Sequence, residues 1–323
     1  MRKFIIKTLV YIICFFLVFS CIFLSVRYFS KFDIDDEKSM LIVGHSHPEH
    51  AFNDSLISKL YNYAHSGEAY FYTYHKAKKV IEQNQQIKIV FIGFSNNQIN
   101  KEEMDDWTWG SMYLSLRLPQ YAPFLEINEC FMLFGNNKEC FINTLPLVLN
   151  NNNNLIKDGF HSNISGGYLY STRDKTDSLI IALKNKEKDI ISERDSINYK
   201  LSDINIIYLS KLIKLCTENN IKPYLVRCPL HEKCSEYSSK YKNEPIFQRI
   251  LSTRFADVEF LDFSKYPLHN SEFGDFSHLN YRGAKKFSIW FNQLIEDGLL
   301  EKTDKQNFIN ERIKTEVGKQ ACK

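Results

Sequence analysis

The sequence predicts an α/β protein with a mostly parallel central sheet and one membrane-spanning helix at its N-terminus. Three observations carry that prediction. Short apolar runs alternate with amphipathic stretches along most of the chain, the pattern of a parallel sheet with helices on both faces. Residues that can do chemistry fall where the expected strands end, the edge at which open α/β sheets bind ligands. The first apolar run is long enough to cross a bilayer.

That run extends from Thr8 to Val26, and as a helix it rises about 28 Å, close to the ~30 Å thickness of the hydrocarbon. Arg2, Lys3 and Lys7 precede it, and Asp33, Asp35, Asp36 and Glu37 follow. This favours an N-terminus inside and a body outside, although Arg27 and Lys31 dilute the asymmetry. A cleaved signal peptide is one alternative, but its apolar core would be shorter and would end in a small-x-small site. A lipidated Cys21 is another, with Phe19 a poor fit in Val18-Phe19-Ser20-Cys21. The uncleaved anchor is the reading adopted: residues 1–27 single-pass in the cytoplasmic membrane, with the lipid bilayer as partner. The body is then extracytoplasmic, and periplasmic in a Gram-negative cell.

The 323 residues, 44% hydrophobic and 14% aromatic, suit one globular domain with an insertion. A net charge of +3 with scattered Lys and Arg sets nucleic acid aside as a partner. Outside the apolar run lie Cys130, Cys140, Cys216, Cys228, Cys234 and Cys322. Cys130 with Cys140, and Cys228 with Cys234, are near enough to pair in an oxidising compartment; buried free thiols are the alternative.

After a charged linker over 28–39, the expected domain spans 40–300. Met40 to Val43 reads as its first strand and Ala51 to Tyr63 as a helix, with Phe52, Leu56, Ile57 and Leu60 at helical spacing. Glu68 to Tyr72 reads as an aromatic strand, His75 to Gln83 as a basic helix, and Ile87 to Phe94 as the clearest buried strand. An insertion from about 101 to 199 breaks the rhythm and is expected to shape a substrate cleft. It holds Trp107, Trp109, the tract Asn150 to Asn154, expected to be an exposed loop, and a charged, solvated helix from Lys184 to Arg194. The rhythm resumes with a helix over Leu201 to Asn219 and strands at Pro223 to Cys228 and Val258 to Phe263. A closing helix follows from Gly283 to Asp297. Residues 301–323 form a charged tail expected to fray.

The chemistry starts at Gly44-His45-Ser46. A strand ending in Gly-x-Ser before a helix lifts a hydroxyl to the carboxyl edge of a sheet, where a helix N-terminus stabilises negative charge. The hydroxyl needs a base. Asp275-Phe276-Ser277-His278 provides one, since a carboxylate three residues before a His can receive one ring N–H and fix the tautomer. Ser95-Asn96-Asn97 ends a central strand. Arg227 and His231, at another strand end, are candidates for holding an anionic or sugar substrate, with Arg227 pairing a carboxylate as the alternative. Trp107 and Trp109 could stack on a sugar ring or simply fill a core. His45, His47 and His50 form His-x-His-x-x-His near Asp54 and His75, a rival zinc reading, but Pro48 breaks the geometry and no carboxylate cluster completes it. No metal and no cofactor is expected.

With these residues in place the chain resembles the SGNH/GDSL hydrolase family over most of Met40 to Asp297, apart from the insertion. The resemblance implies a three-layer, flavodoxin-like fold, Ser46 as nucleophile, His278 as general base and Asp275 as its orienting carboxylate. It also implies an oxyanion hole from the Ser46 backbone N–H, with its flanking Gly44, a glycine of the second block and an Asn of the third. Three departures stand out. His45 replaces the Asp before the nucleophile. The third block reads Gly93-Phe94-Ser95-Asn96-Asn97, with Asn96 preferred over Asn97. Gly67 is the one candidate for the second-block glycine, and it precedes an expected strand instead of following one. The implied activity is hydrolysis or transfer of an O-acyl ester, on an acylated cell-surface glycan or a small ester. A catalytically silent glycan-binding partner of a membrane O-acyltransferase or polysaccharide export system is the alternative.

Overall fold

Four of the apolar runs become strands because β-branched and aromatic side chains fill both faces of a covered sheet, which favours continuous apolar segments over alternation. The computed structural model describes residues 1–186, 200–234 and 243–321. The chain divides into two compact units, Met1–Asp33 with Thr108–Ile164, and Ile34–Trp107 with Ser165–Lys323.

In chain order, the elements begin with α1 (Arg2–Phe29), β1 (Met40–Val43), α2 (Ser46–Ala51), β2 (Leu60–Asn62), α3 (Tyr70–Gln83) and β3 (Ile89–Gly93). Then come α4 (Lys101–Trp109), α5 (Ser111–Tyr121), α6 (Ile127–Asn136), α7 (Lys138–Lys157) and α8 (Thr176–Lys186). The last are α9 (Asp203–Glu218), β4 (Lys222–Arg227), α10 (Glu244–Arg254), β5 (Phe260–Asp262), α11 (Tyr281–Glu296) and α12 (Lys305–Ala321).

The second unit is built on a five-stranded sheet of order β2-β1-β3-β4-β5, with every neighbouring pair parallel. In register, Leu41 faces Tyr61 on one side and Val90 on the other. Met40, Ile42, Phe91, Tyr224, Val226 and Leu261 share one core with α11 and α12. Their neighbours Leu41, Val43, Val90, Ile92 and Leu225 are buried as well, so both faces of the sheet are covered. This is a doubly wound α/β order. From β1 the chain steps out to β2, then crosses back to β3, and that reversal opens a crevice at the carboxyl ends of β1 and β3.

Several elements differ from their sequence patterns. Ala51 to Tyr63 is not one helix: α2 stops at Ala51, a short 3-10 turn covers Asp54–Leu56, and Leu60–Asn62 is a strand. The Asn53 side chain caps that turn at the Ser55 N–H, 3.2 Å, while its own N–H donates to Ser288 Oγ, 2.8 Å. Phe52, Ile57 and Leu60 are all buried, so their spacing records burial and not a helical period. Glu68 to Tyr72 is the entry to α3 and not a strand; Tyr70, Phe71 and Tyr72 are buried on successive sides of that helix, which imitates a strand buried on both faces.

The expected linker is structured: α1 runs to Phe29, and Ser30, Phe32 and Ile34 are buried. The insertion is narrower than 101–199, since Lys101–Trp107 and the residues from Ser165 belong to the sheet unit. The asparagine tract lies inside α7 with Asn152 buried, its poor helix propensity overridden by the flanking Val148 and Leu155, both core residues. Beyond Lys186 the expected charged helix lies outside the described residues. Residues 305–321 form α12. Ile309 and Ile313, one turn apart, enter the core, and the Gln306 side chain accepts from the Asp262 N–H at 2.8 Å and donates to its carbonyl at 3.1 Å, satisfying the edge strand β5. The seven described cysteines, with Cys130, Cys140, Cys228 and Cys234 among them, are unbridged thiols; Cys322 lies outside the described residues.

One polar pair sits wholly inside this unit. Lys76 Nζ of α3 donates to Glu68 Oε2 at 2.8 Å with both side chains fully buried, and Thr73 Oγ1 donates to the other carboxylate oxygen at 2.9 Å. The pair fixes the start of α3 just after Gly67. Lys76→Met is expected to strand a buried carboxylate and destabilise the fold by about 3–5 kcal/mol, read as a lower urea midpoint. A midpoint unchanged from wild type would contradict that role.

Candidate functional site

Ser46 is the first residue of α2, and its position follows from a close approach of two strands. Gly44 has φ +130°, and a Cβ there would lie 3.2 Å from the Gly93 nitrogen; a Cβ on Gly93 would lie 2.8 Å from Pro48 Cγ. Only glycines let β1, β3 and α2 meet so closely. The contact sets Ser46 at the carboxyl edge of the sheet, with its side chain half-buried and α2 opening behind it.

The Asp275–His278 segment reaches that point as a tight turn. The Gly274 N–H donates to the His278 carbonyl at 2.8 Å, and Phe273 and Leu279 form an antiparallel bridge. Asp275 Oδ1 accepts from the Ser277 and His278 N–H groups, each at 3.0 Å. The His278 Nδ1–H donates to the same carboxylate, at 2.8 and 3.0 Å to its two oxygens. With Nδ1 the donor, Nε2 is left to accept, and Ser46 Oγ lies 2.7 Å from it. The three residues therefore meet in one hydrogen-bonded line. A hydroxyl in this setting can pass its proton to the imidazole as it attacks a carbonyl, while the carboxylate steadies the imidazolium.

Burial pushes the Asp275 carboxyl up, but the His278 hydrogen bond and charge, the Ser277 amide and Arg173 outweigh it and hold the group far below the usual carboxylate range. The Arg173 guanidinium stands 3.0 Å from Oδ2. Two more imidazoles press edge-on against His278: the His47 and His50 rings each lie 5.1 Å from it, centroid to centroid. Burial, then the His278 charge, push His50 down to about 4 against Glu49 and Asp275. His50 therefore stays neutral at neutral pH. Of the His-x-His-x-x-His histidines, His45 packs its ring 4.4 Å from that of His47 and places its Nε2 3.1 Å from Ser95 Oγ. Among the described residues no three His, Cys, Asp or Glu side chains converge as a metal site.

The expected oxyanion residues part company. Asn96 is fully buried; its Nδ2 donates to Glu244 Oε2 at 2.9 Å and its Oδ1 accepts from Arg227 at 3.0 Å. That network holds its amide. Asn97 is held differently. Its Oδ1 accepts from Ser95 Oγ at 2.5 Å, so the one hydroxyl proton of Ser95 is committed and His45 must present Nε2–H to it. The chain Asn97–Ser95–His45 thus ends on the residue next to Ser46, with the Asn97 NH2 turned away from Ser95. Gly67 also changes meaning. It follows β2 in the loop to α3, with φ +64°, because the expected strand after it is a helix. The His65 N–H donates to the Gly44 carbonyl at 2.9 Å, and His65 Nδ1 and Ser66 Oγ bond to Glu49 of α2. The loop is thereby stitched to the Gly44–Ser46 turn.

Arg227 takes the carboxylate-paired reading and His231 a backbone and Asn270 contact. Arg227 is buried, forks onto Glu244 at 3.0 to 3.1 Å and stacks 4.3 Å over the Phe247 ring, the carboxylate-paired alternative. His231 is also buried; its Nε2–H donates to Asn270 Oδ1 at 2.8 Å while Nδ1 accepts from the Lys233 N–H at 3.1 Å. Its N–H donates to the Phe276 carbonyl at 3.1 Å, so it props the Asp275–His278 turn. Both line a cavity of about 1170 Å³ with Glu244, Asp262 and Asn270, and Ser46 is absent from its wall. Trp107 is buried, 6.1 Å from the His45 ring, a core position. Sequence reasoning missed Ser95, although it occupies the third position of Gly93-Phe94-Ser95; Arg173 carries no local signal at all.

The low His50 value predicts an acid-sensitive fold. Between about 4 and 6.5 the unfolded chain binds a proton at His50 that the folded chain refuses, so stability rises with pH across that window and is lost as pH falls through it. His50→Gln is expected to flatten the slope of melting temperature against pH between 4 and 6.5. An unchanged slope would contradict the assignment. Among known proteins, a family model described only as an uncharacterised domain matches residues 154–300, a stretch that holds the Asp275–His278 turn but not Ser46. No curated protein matches the chain.

Proposed function

We propose that this chain is an SGNH-like, serine-dependent O-acyl ester hydrolase or acyl transferase, tethered by α1 to the cytoplasmic membrane with its sheet unit outside. The observation that supports it most is the line Ser46 Oγ–His278 Nε2–Nδ1–Asp275, with 2.7 Å at its first link. Ser46 attacks the ester carbonyl as His278 takes its proton; the alcohol leaves with that proton, and water or an acceptor hydroxyl then releases the acyl group. The oxyanion is assigned to the Ser46 and Gly67 N–H groups and the Asn97 amide. An acylated cell-surface glycan is the substrate class that the family resemblance favours.

Support for an uncleaved anchor is separate. α1 is long and apolar enough to cross a membrane, and Val26 at its last turn is fully buried against its own unit, which a removable signal peptide would leave open. The N-terminus-in orientation rests on Arg2, Lys3 and Lys7.

A second reading, a silent glycan-binding partner of an acyl-transfer or export system, draws on one observation: the Asn96 amide is committed to Arg227 and Glu244. Hydrolysis of a short-chain nitrophenyl ester by the full-length protein in detergent separates the two. Ser46→Ala is expected to reduce it to background. Asn97→Ala should lower kcat on the order of 100-fold with the fold retained, whereas Asn96→Ala should chiefly lower the melting temperature. A selective loss of turnover in Asn96→Ala would reverse the Asn assignment. A folded wild type that turns over no ester favours the silent partner.

A further inference from the structure

The unit formed by Met1–Asp33 and Thr108–Ile164 carries an apolar surface that its own core does not use. That core is Leu114 and Leu118 of α5, Leu133 of α6, and Val148 and Leu155 of α7, all buried. The faces turned away from such a core are polar in a water-soluble bundle. Here α5 exposes Met112 and Leu116, one turn apart, with Leu116 60% exposed. α6 exposes Ile127 and Phe131, again one turn apart, with Phe131 65% exposed. α7 exposes Ile142, Leu145 and Leu149 along one stripe, and its exposed polar positions Asn143, Asn150 and Asn154 lie on another, which the exposed Leu147 interrupts.

Charge is equally sparse. From Ser111 to Asn154 the ionisable acids and bases are Arg117, Glu126, Glu129, Lys138 and Glu139. Arg117 and Glu129 are buried, and Glu126 pairs with Arg27 of α1. The outer faces of α5 and α6 therefore present no charged side chain between their caps. They also lack Trp and Arg, the residues that anchor specific protein interfaces.

The way α1 enters this unit says what covers the surface. Arg27 donates to the Leu125 carbonyl at 3.1 Å, the Phe29 and Phe160 rings lie 5.6 Å apart, and those of Phe32 and Phe124 5.5 Å apart. About 20 helical residues fill ~30 Å of hydrocarbon. The apolar run from Thr8 to Val26 matches that length, so its last residue, the buried Val26, and the Arg27 after it mark the far edge of the hydrocarbon. The core of this unit is thus fixed at the headgroup level, where apolar side chains sink into the boundary with the acyl chains.

We propose that the outer faces of α5, α6 and α7 seat in the interfacial layer of the bilayer that α1 crosses, so that Thr108–Ile164 is a membrane-resting module and not a soluble insertion. The inference rests on the anchor reading of α1. The test is photolabelling of the full-length protein in nanodiscs of phosphatidylcholine and phosphatidylglycerol, doped with a phosphatidylcholine carrying a diazirine high on its acyl chain, with adducts mapped by mass spectrometry. Adducts are expected along α1, on Met112, Leu116, Ile127, Phe131, Ile142, Leu145 and Leu149, and not on Asn143 or Asn150. The triple variant L116K/F131K/L145K, with its melting temperature unchanged, should reduce adducts on α5–α7 to the level of Asn143 while those on α1 persist. Labelling of α1 without α5–α7 overturns the proposal and leaves the anchor standing. An unlabelled α1 overturns the anchor itself. Zero-length protein cross-links from α5–α7 to a second copy or another protein, in place of lipid adducts, would assign the surface to a protein and sink the proposal.

Discussion

The Asp275 carboxylate is the interaction on which the site depends. Its Oδ1 closes the turn through the Ser277 and His278 amides and holds the His278 ring through Nδ1. Backbone conformation and imidazole orientation therefore rest on one group. Against burial, the His278 hydrogen bond and charge, then the Ser277 amide and Arg173 on the other oxygen, keep that group ionised. Since the ring can donate only from Nδ1, its Nε2 is an acceptor before any substrate arrives, and the 2.7 Å contact with Ser46 follows from that tautomer. Preorganisation of this kind removes the cost of orienting the base during reaction.

The second constraint is steric. Gly44 and Gly93 bring the ends of β1 and β3 into contact under Pro48, which places the residues following each strand at one crevice. Ser46 follows β1, and Ser95, Asn96 and Asn97 follow β3. The polar groups there sort themselves by what is buried beside them. Asn96 is drawn to the Arg227–Glu244 pair, because a buried guanidinium needs its fork filled. Asn97 is drawn to Ser95, and Ser95 to His45. The His that stands before Ser46 is thus a structural donor in that chain.

The legible part of the sequence was the part in which chemistry and chain direction coincide. Gly44-x-Ser46 and Asp275-x-x-His278 are local motifs whose short spacings fix their own geometry, and β1, β3 and β4 are apolar runs that only a covered sheet can use. Where a pattern had two physical causes, it misled. Phe52, Ile57 and Leu60 are buried by a turn and a strand, yet their spacing imitates a helix. Tyr70, Phe71 and Tyr72 are buried around a helix start, yet they imitate a strand, and that exchange moved Gly67 to the wrong side of its strand. Ile309 and Ile313 were obscured by the charges around them. The partners of Asn96 lie at Arg227 and Glu244, far along the chain, and no local signal could report them.

The central claim is that Ser46 is a hydroxyl activated by His278. The most direct measurement is reaction of the full-length protein with a fluorophosphonate, with the modified peptide sequenced by mass spectrometry. A single phosphonyl adduct on Ser46, lost in His278→Ala and formed more slowly in Asp275→Asn, is the predicted result. An adduct on any other residue, or one that forms on Ser46 at the same rate without His278, would contradict the account.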